Sequence, residues 1–290
     1  MPARSSDGRI AVITGTTHGI GRVTARVLAE AGFTLVMLCR NLDAAAAVRT
    51  EILRAAPSAA VHVLHCDLAS LASVRACAGH VQRDFESIAL LINNAGMVSA
   101  RHRMSVDGYE LTFASNHLGP FLLTGLLLGR MAARGRIVNV ASRAHYRGIL
   151  DLEHVDTPSA RYDPRAAYAR SKLANVLHTF ALAQRLAGSE VTANCLHPGI
   201  VATNLLPRWL RMLQRLLNRV VFDEVRGAGT TLYLALSEEV AQINGRYFDE
   251  HQRIQRPSPL AEDPALQELL WTTSARWTGL AADAVYAENA

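Results

Sequence analysis

The chain has 290 residues, half of them hydrophobic and 19 % charged, with a formal net charge of +5. That is enough apolar content for one large core and too little charge for a disordered chain. The mild basic excess fits an anionic ligand, nucleic acid or a membrane surface and does not choose among them. Four cysteines, Cys39, Cys66, Cys77 and Cys195, form no CxxC pair. Reduced thiols in or near a core are therefore expected, in a cytoplasmic protein without a metal site. The polar start "MPARSSDGR" has no apolar signal-peptide core.

"RIAVITG" predicts a first strand, followed by a helix from about Gly19 to Ala31. "TLVMLC" is a second strand, and a helix opening near Asn41 runs to Ala56, where Pro57 stops it. "AVHVLHC" is a third, with a helix over Ser70 to Phe85; "IALLINNA" is a fourth. The uncharged run Leu111 to Gly129 is almost long enough to span a bilayer. Asn116, His117 and Pro120 interrupt it, so a buried helix is expected and no transmembrane segment. "RIVNVAS" is a fifth strand, and the long helix around "YARSK" leads to a sixth, "EVTANCLHP". A helix near "GAGTTLYLALS" precedes a short strand, "GRYFD". Pro257 to Pro264 reads as a loop before a C-terminal helix holding Trp271 and Trp277.

Nearly continuous apolar strands alternating with helices imply right-handed crossovers and a parallel sheet covered on both faces. The expected fold is α/β, a doubly wound Rossmann sheet of about seven parallel strands with helices on both faces. One domain over residues 1–290 is expected, with no linker or internal repeat.

The first strand ends in "TGTTHGIG". Gly15, Gly19 and Gly21, with Thr17, His18 and Ile20 between and beside them, form a turn that lets backbone approach a pyrophosphate at a helix N-terminus. A plain turn also accounts for three glycines, but their place in a βαβ pattern favours nucleotide binding. The second strand ends in Cys39-Arg40-Asn41, where a carboxylate would otherwise take the ribose 2′-OH of NAD. Arg40 can pair with a 2′-phosphate through its planar fork, with His18 as a second donor, so NADP(H) is the expected cofactor.

With these features in place, the chain resembles the single-domain short-chain dehydrogenase/reductases over nearly its whole length. "CDLASLASV" supplies Asp67 and Leu68, which the resemblance places beside an adenine. "INNAG", with Asn93, Ala95 and Gly96, resembles the motif that walls the adenine side and steadies the central sheet. "SNHLGPF" supplies Asn116, "RIVNVAS" Ser142, and "YARSK" Tyr168 and Lys172. "HPGIVATN" resembles the turn near the nicotinamide, with Pro198, Gly199, Val201 and Thr203. "LCRNLDAA", "DGYELTFASNHLGPFLLT" and "NGRYF" are similar to the retinol-dehydrogenase-like group and bacterial relatives. The N-terminal membrane anchor of many of that group is not expected here, and Pro120 and Ala141 depart from its pattern, so the retinoid substrate does not carry over with the fold.

What the resemblance implies is a carbonyl reductase or alcohol dehydrogenase with Tyr168 as acid and base. A free tyrosine has a pKa of about 10, and bringing it near 7 takes about three units, roughly 4 kcal/mol. Lys172, one helical turn away, supplies a field that favours the phenolate, and by resemblance holds the nicotinamide ribose. Ser142 would hydrogen-bond the substrate oxygen, and Asn116 would anchor a water that links Lys172 to solvent. Singly, a strand-end hydroxyl, a helix cap and a core aromatic are adequate readings. Two other functions stay open: a non-catalytic NADP(H)-binding regulator, and reduction of an activated C=C bond.

"NLLPRWLRMLQRLLNRVVF", residues 204–222, reads as an amphipathic helix with Arg208, Arg211, Arg215 and Arg219 at helical spacing. By position it is a substrate lid whose apolar face lines a pocket for a bulky hydrophobic substrate, a small-molecule carbonyl or alcohol. Peripheral membrane contact competes with that reading. No nucleic-acid partner is expected, and a monomer or a homodimer remains open.

Overall fold

The computed structural model describes residues 9–153, 155, 162–199 and 224–281. Val201, Thr203, the expected lid 204–222 and the end of the C-terminal extension 257–290 beyond residue 281 lie outside them.

One sheet carries the chain, in the order β3-β2-β1-β4-β5-β6-β7-β8. Its strands are β1 (Ile10–Thr14), β2 (Thr34–Cys39), β3 (Val61–His65), β4 (Ile88–Asn93), β5 (Met131–Val140), β6 (Thr192–Leu196), β7 (Tyr247–Phe248) and β8 (Ile254–Gln255). The seven expected strands are parallel throughout. The eighth, absent from the sequence reading, pairs antiparallel with β7. It is two exposed residues long and has no hydrophobic pattern to read; Asp249 holds it through Gln255 Nε2 (2.9 Å) and Arg253 Nε (3.0 Å).

The helices form where caps and apolar faces coincide. They are α1 (Gly19–Glu30), α2 (Leu42–Ala55), α3 (Leu71–Asp84), α4 (Leu111–Arg130), α5 (Pro164–Arg185), α6 (Glu224–Leu236) and α7 (Pro264–Thr278). Asn41 caps α2 by accepting from Ala44 N at 3.0 Å, and Ser70 caps α3 from Ser73 N at 3.3 Å. Asp163 caps α5, with Pro164 as its first residue, where a missing N–H costs nothing. Gly279, at φ +61°, ends α7 in the left-handed conformation. β2 is buried at every residue because α1 and α2 lie on one of its faces and the α3 side on the other.

Two apolar layers flank the sheet. One joins Val36, Val74 and Val81 to Phe121, Leu123, Leu182 and Trp271; the other joins Ile13, Leu28 and Met37 to Ile52, Leu234 and Phe248. α4 is buried over most of its length, as expected of a core helix. Its interior holds a surprise: Ala114–Leu118 is a π-helical turn, which widens the helix at Asn116. β5 also starts five residues early, with a register slip between its pairings Ile88–Met131 and Leu90–Arg136.

Strand order reverses at β1, so β2 and β4 leave it in opposite directions. A crevice therefore opens beyond the C-terminal ends of β1 and β4, the usual place for a ligand in such sheets.

Candidate functional site

The glycine turn sits at the mouth of that crevice. Gly15 and Gly19 have φ of +72° and +63°, a conformation that suits glycine alone. A Cβ on Gly15 would come within 2.8 Å of Ala95 Cα, and one on Gly21 would collide with the Gly15 carbonyl and the Asn94 amide. The turn is strapped to the end of β4. Asn94 Nδ2 donates to Thr14 O (2.9 Å) and Gly15 O (3.0 Å), while Thr14 Oγ1 accepts from the amides of Asn94 (3.1 Å) and Ala95 (3.0 Å). Thr16 Oγ1 lies 3.0 Å from Cys39 Sγ, tying the turn to β2. His18 is the N-cap of α1 but makes no side-chain cap, so the first amides of that helix are not satisfied by it; its Nδ1 meets Thr17 Oγ1 at 3.0 Å. Ile20 is buried against Val23 and Ala228 and seats the helix.

Around this turn, Arg40 is exposed and makes no ion pair or side-chain hydrogen bond among the described residues. Asp67 Oδ1 accepts from Ala69 N (3.0 Å), forming the turn that leads to Leu68, and the close approach of Gly119 to the Leu68 carbonyl brings α4 against it. Next to Arg40, the Asn41 side-chain oxygen caps α2. Asn93 is buried, and its Nδ2 donates to Thr124 Oγ1 (2.9 Å) and Asn139 Oδ1 (2.8 Å), continuing through Asn139 Nδ2 to Thr179 Oγ1 (2.9 Å). Its side chain braces the sheet, because the strand alternation at Asn93 turns it inward; the strap to the glycine turn is Asn94, the second residue of the same "NN" pair.

The other wall of the crevice gathers Asn116, Ser142, Tyr168 and Lys172. The π turn sets Asn116 fully buried, with Oδ1 accepting from Met97 N (2.8 Å) and Nδ2 donating to Met97 O (2.9 Å) and Ser171 Oγ (3.0 Å). Ser171 Oγ in turn donates to Tyr168 O (2.8 Å). Lys172 is 2 % exposed; its Nζ donates to Val140 O at 2.8 Å and lies 5.7 Å from the centre of the Tyr168 ring. Gly96 leaves the room for it, since a Cβ there would stand 3.2 Å from Nζ. Burial lowers the lysine pKa to about 8. Ser142 follows β5, and its Oγ accepts from Ala144 N at 3.2 Å.

The electrostatics of Tyr168 differ from expectation. Burial raises its pKa above 10, and the Ser142 side chain only partly lowers it again. Burial is the larger cause, because it penalises the charged phenolate.

Pro198 and Gly199 follow β6, with Gly199 at φ +78°. Sequence reasoning missed the histidine beneath that turn. His197 Nδ1 accepts from Gly199 N (3.2 Å), and its Nε2 faces Glu250 Oε2 at 2.9 Å. The signal was the "HPG" triplet. All four cysteines are buried and free, as expected, and no cluster of three metal-ligating side chains occurs among the described residues. Recesses of about 480 Å³ beside Arg49 and Val63 and about 340 Å³ beside Glu110 and Arg170 are lined by none of the catalytic candidates.

A doubly wound sheet with a glycine turn at its switch point and a Ser-Tyr-Lys group opposite defines an oxidoreductase of the Rossmann type. A sequence profile of the short chain dehydrogenases matches residues 9–213, and the protein belongs to that family. It is 38 % identical to human retinol dehydrogenase 13 over 96 % of this chain and 87 % of the relative. It is 40 % identical to dehydrogenase/reductase SDR family member 13 of Bos taurus, over 94 % and 74 %. A solved Mycobacterium paratuberculosis structure shares 35 % identity, covers 96 % of both chains and superimposes with a TM-score of 0.78. A blue fluorescent protein from a metagenomic library, solved with NADPH, shares 25 % identity over 83 % of this chain and 96 % of its own, with a TM-score of 0.68.

Proposed function

We propose that the protein is an NADP(H)-dependent oxidoreductase that interconverts a carbonyl and an alcohol on a bulky apolar substrate, with Tyr168 as general acid and base. One observation carries the reading: a buried ammonium, Lys172, held by a backbone carbonyl and by no carboxylate among the described residues, stands beside Tyr168, whose phenolate the Ser142 side chain favours. A structural role alone gives no reason to bury an unpaired charge there.

The residues present fit a dinucleotide phosphate. The uncapped start of α1 and the cramped glycines would hold its pyrophosphate, Leu68 and Asp67 would flank the adenine, and Arg40 would take the 2′-phosphate. When bound, the nicotinamide supplies or accepts the hydride. The Ser142 hydroxyl, its oxygen already accepting from Ala144, keeps its hydrogen for the oxygen of the substrate or of Tyr168. Tyr168 gives its phenolic proton to that oxygen in reduction and takes it back in oxidation. Lys172 favours the phenolate at that moment, a field that fades as pH rises through about 8 and the ammonium discharges. Asn116 holds Met97 and Ser171 in place and, through water, would connect Lys172 to solvent.

Relatives named for retinol support an apolar alcohol or aldehyde as the substrate class. Four buried thiols with no disulfide fit a cytoplasmic setting. The test follows NADPH absorbance across a carbonyl panel for the wild type and Tyr168→Phe. A variant that binds NADPH but does not turn over is expected; equal turnover in both sinks the assignment. Product analysis separates reduction of C=O from reduction of C=C.

A further inference from the structure

His145 lies three residues after Ser142, on the single turn Arg143–Arg147, and is fully buried. Its ring bridges two backbone groups. Nδ1 is 2.7 Å from the Ser142 carbonyl oxygen, and Nε2 accepts from the Ser258 amide at 3.1 Å. A carbonyl can only accept and an amide N–H can only donate, so the ring is neutral with its proton on Nδ1. Burial holds its pKa down to about 4, against the pull of the Ser142 carbonyl, so this form persists near neutrality. Tyr146 and Tyr247 pack on the ring, with centroids at 4.0 and 4.7 Å.

The turn is fixed from two sides. Gly148 presses against α5: a Cβ there would approach Ala169 O to 2.6 Å and Leu173 Cβ to 2.7 Å, next to Tyr168 and Lys172. On the other side, Tyr146 OH donates to Arg256 O (2.7 Å), beside the Ser258 contact, and Ser258 O accepts from Ala261 N (2.8 Å). Ser142 itself is bound to its turn twice, by His145 N at 3.1 Å and by Ala144 N on its hydroxyl oxygen at 3.2 Å.

We propose that His145 is a positioning residue for Ser142: it clamps the serine's backbone to Ser258, so that the segment leading into α7 sets the aim of the Ser142 hydroxyl at Tyr168. The activity part of this inference rests on the reading of Ser142 and Tyr168 given above. The segment 256–262 thereby acquires a purpose in the site from more than a hundred residues away.

Three variants test it, each measured for kcat, KM, NADPH affinity and Tm, alone and in a Ser142→Ala background. His145→Phe keeps the ring volume and loses both bonds. Ser258→Pro breaks the clamp from the other side: its φ of −54° suits proline, and a ring methylene replaces the N–H and presses on His145 Nε2. His145→Asn keeps a donor for the Ser142 carbonyl. His145→Phe and Ser258→Pro are expected to lower kcat about 10- to 100-fold with NADPH affinity nearly unchanged, and His145→Asn to recover part of it. In the Ser142→Ala background His145→Phe costs nothing further. Tyrosinate absorbance, assigned to Tyr168 by difference from Tyr168→Phe, moves to higher pH in His145→Phe and Ser258→Pro as it does in Ser142→Ala.

A loss in kcat that persists undiminished without Ser142, or that merely follows a fall in Tm, overturns the proposal. If the wild type turns over neither carbonyl nor alcohol, the functional reading fails by itself. The tyrosinate titration then still decides, and an unmoved Tyr168 overturns the clamp. Should His145→Phe not fold, Ser258→Pro carries the same comparison.

Discussion

Replacing Lys172 with methionine should stabilise the fold while ending turnover. The side chain is 2 % exposed, and burial takes its pKa from 10.5 to about 8. In the unfolded chain near pH 7 the ammonium is fully hydrated, and folding carries it into the interior at a cost of about 3 kcal/mol for that shift. Methionine fills similar volume without charge. Losing the bond to Val140 O returns about 1 kcal/mol of that gain. The net is about 2 kcal/mol, or about 3 °C in Tm for a chain of this length. The sign has a pH signature. Because the folded pKa lies below the unfolded one, the penalty is full below about 8 and shrinks toward 10.5 as the unfolded lysine also discharges. Calorimetry of both proteins without cofactor, from near neutral pH upward, reads this directly. A lower Tm in the variant, a gap that does not narrow with pH, or retained turnover would refute the reasoning.

Other outcomes follow from the same geometry. Arg40→Ala should weaken NADPH about 10- to 100-fold and leave NADH unchanged in binding titrations, whereas an unaltered preference would place the phosphate elsewhere, with His18 next in line. Gly21→Ala should cost about 2–4 kcal/mol in urea unfolding, since the new methyl meets the Gly15 carbonyl and the strapped Asn94 amide and neither is a free side-chain end. His178, buried beside His117 and Trp271, has its pKa lowered by burial from 6.5 to about 3. Its unfolded form takes the proton first, so stability is whole above about 6.5 and falls by about 2 kcal/mol by about pH 5. His178→Leu should flatten that part of the pH profile, and an unchanged slope would assign the acid loss to other groups.

Much of this was written in local pattern. The strands β1 and β2 are nearly unbroken apolar runs, and Asn41 and Ser70 announce the helices they cap. The glycine turn and the Tyr168–Lys172 spacing led to the two walls of the crevice. What escaped depends on distant partners. The π turn at Asn116 takes its reason from Met97 and Ser171, and no periodicity within α4 contains them. Asn93 and Asn94 are the same letter, and only strand alternation sends one inward and the other to the turn. Tyr168 misled through energetics: spacing places the cation but is silent on how far the phenol is buried.

The Asn94 strap has a consequence for how a ligand arrives. Four hydrogen bonds among Thr14, Gly15, Asn94 and Ala95 fix the turn without calling on any bound molecule. The conformational entropy of ordering that loop is thus lost at folding and not at association. A dinucleotide phosphate meets a preformed cradle, and none of its interaction energy is consumed in ordering that turn.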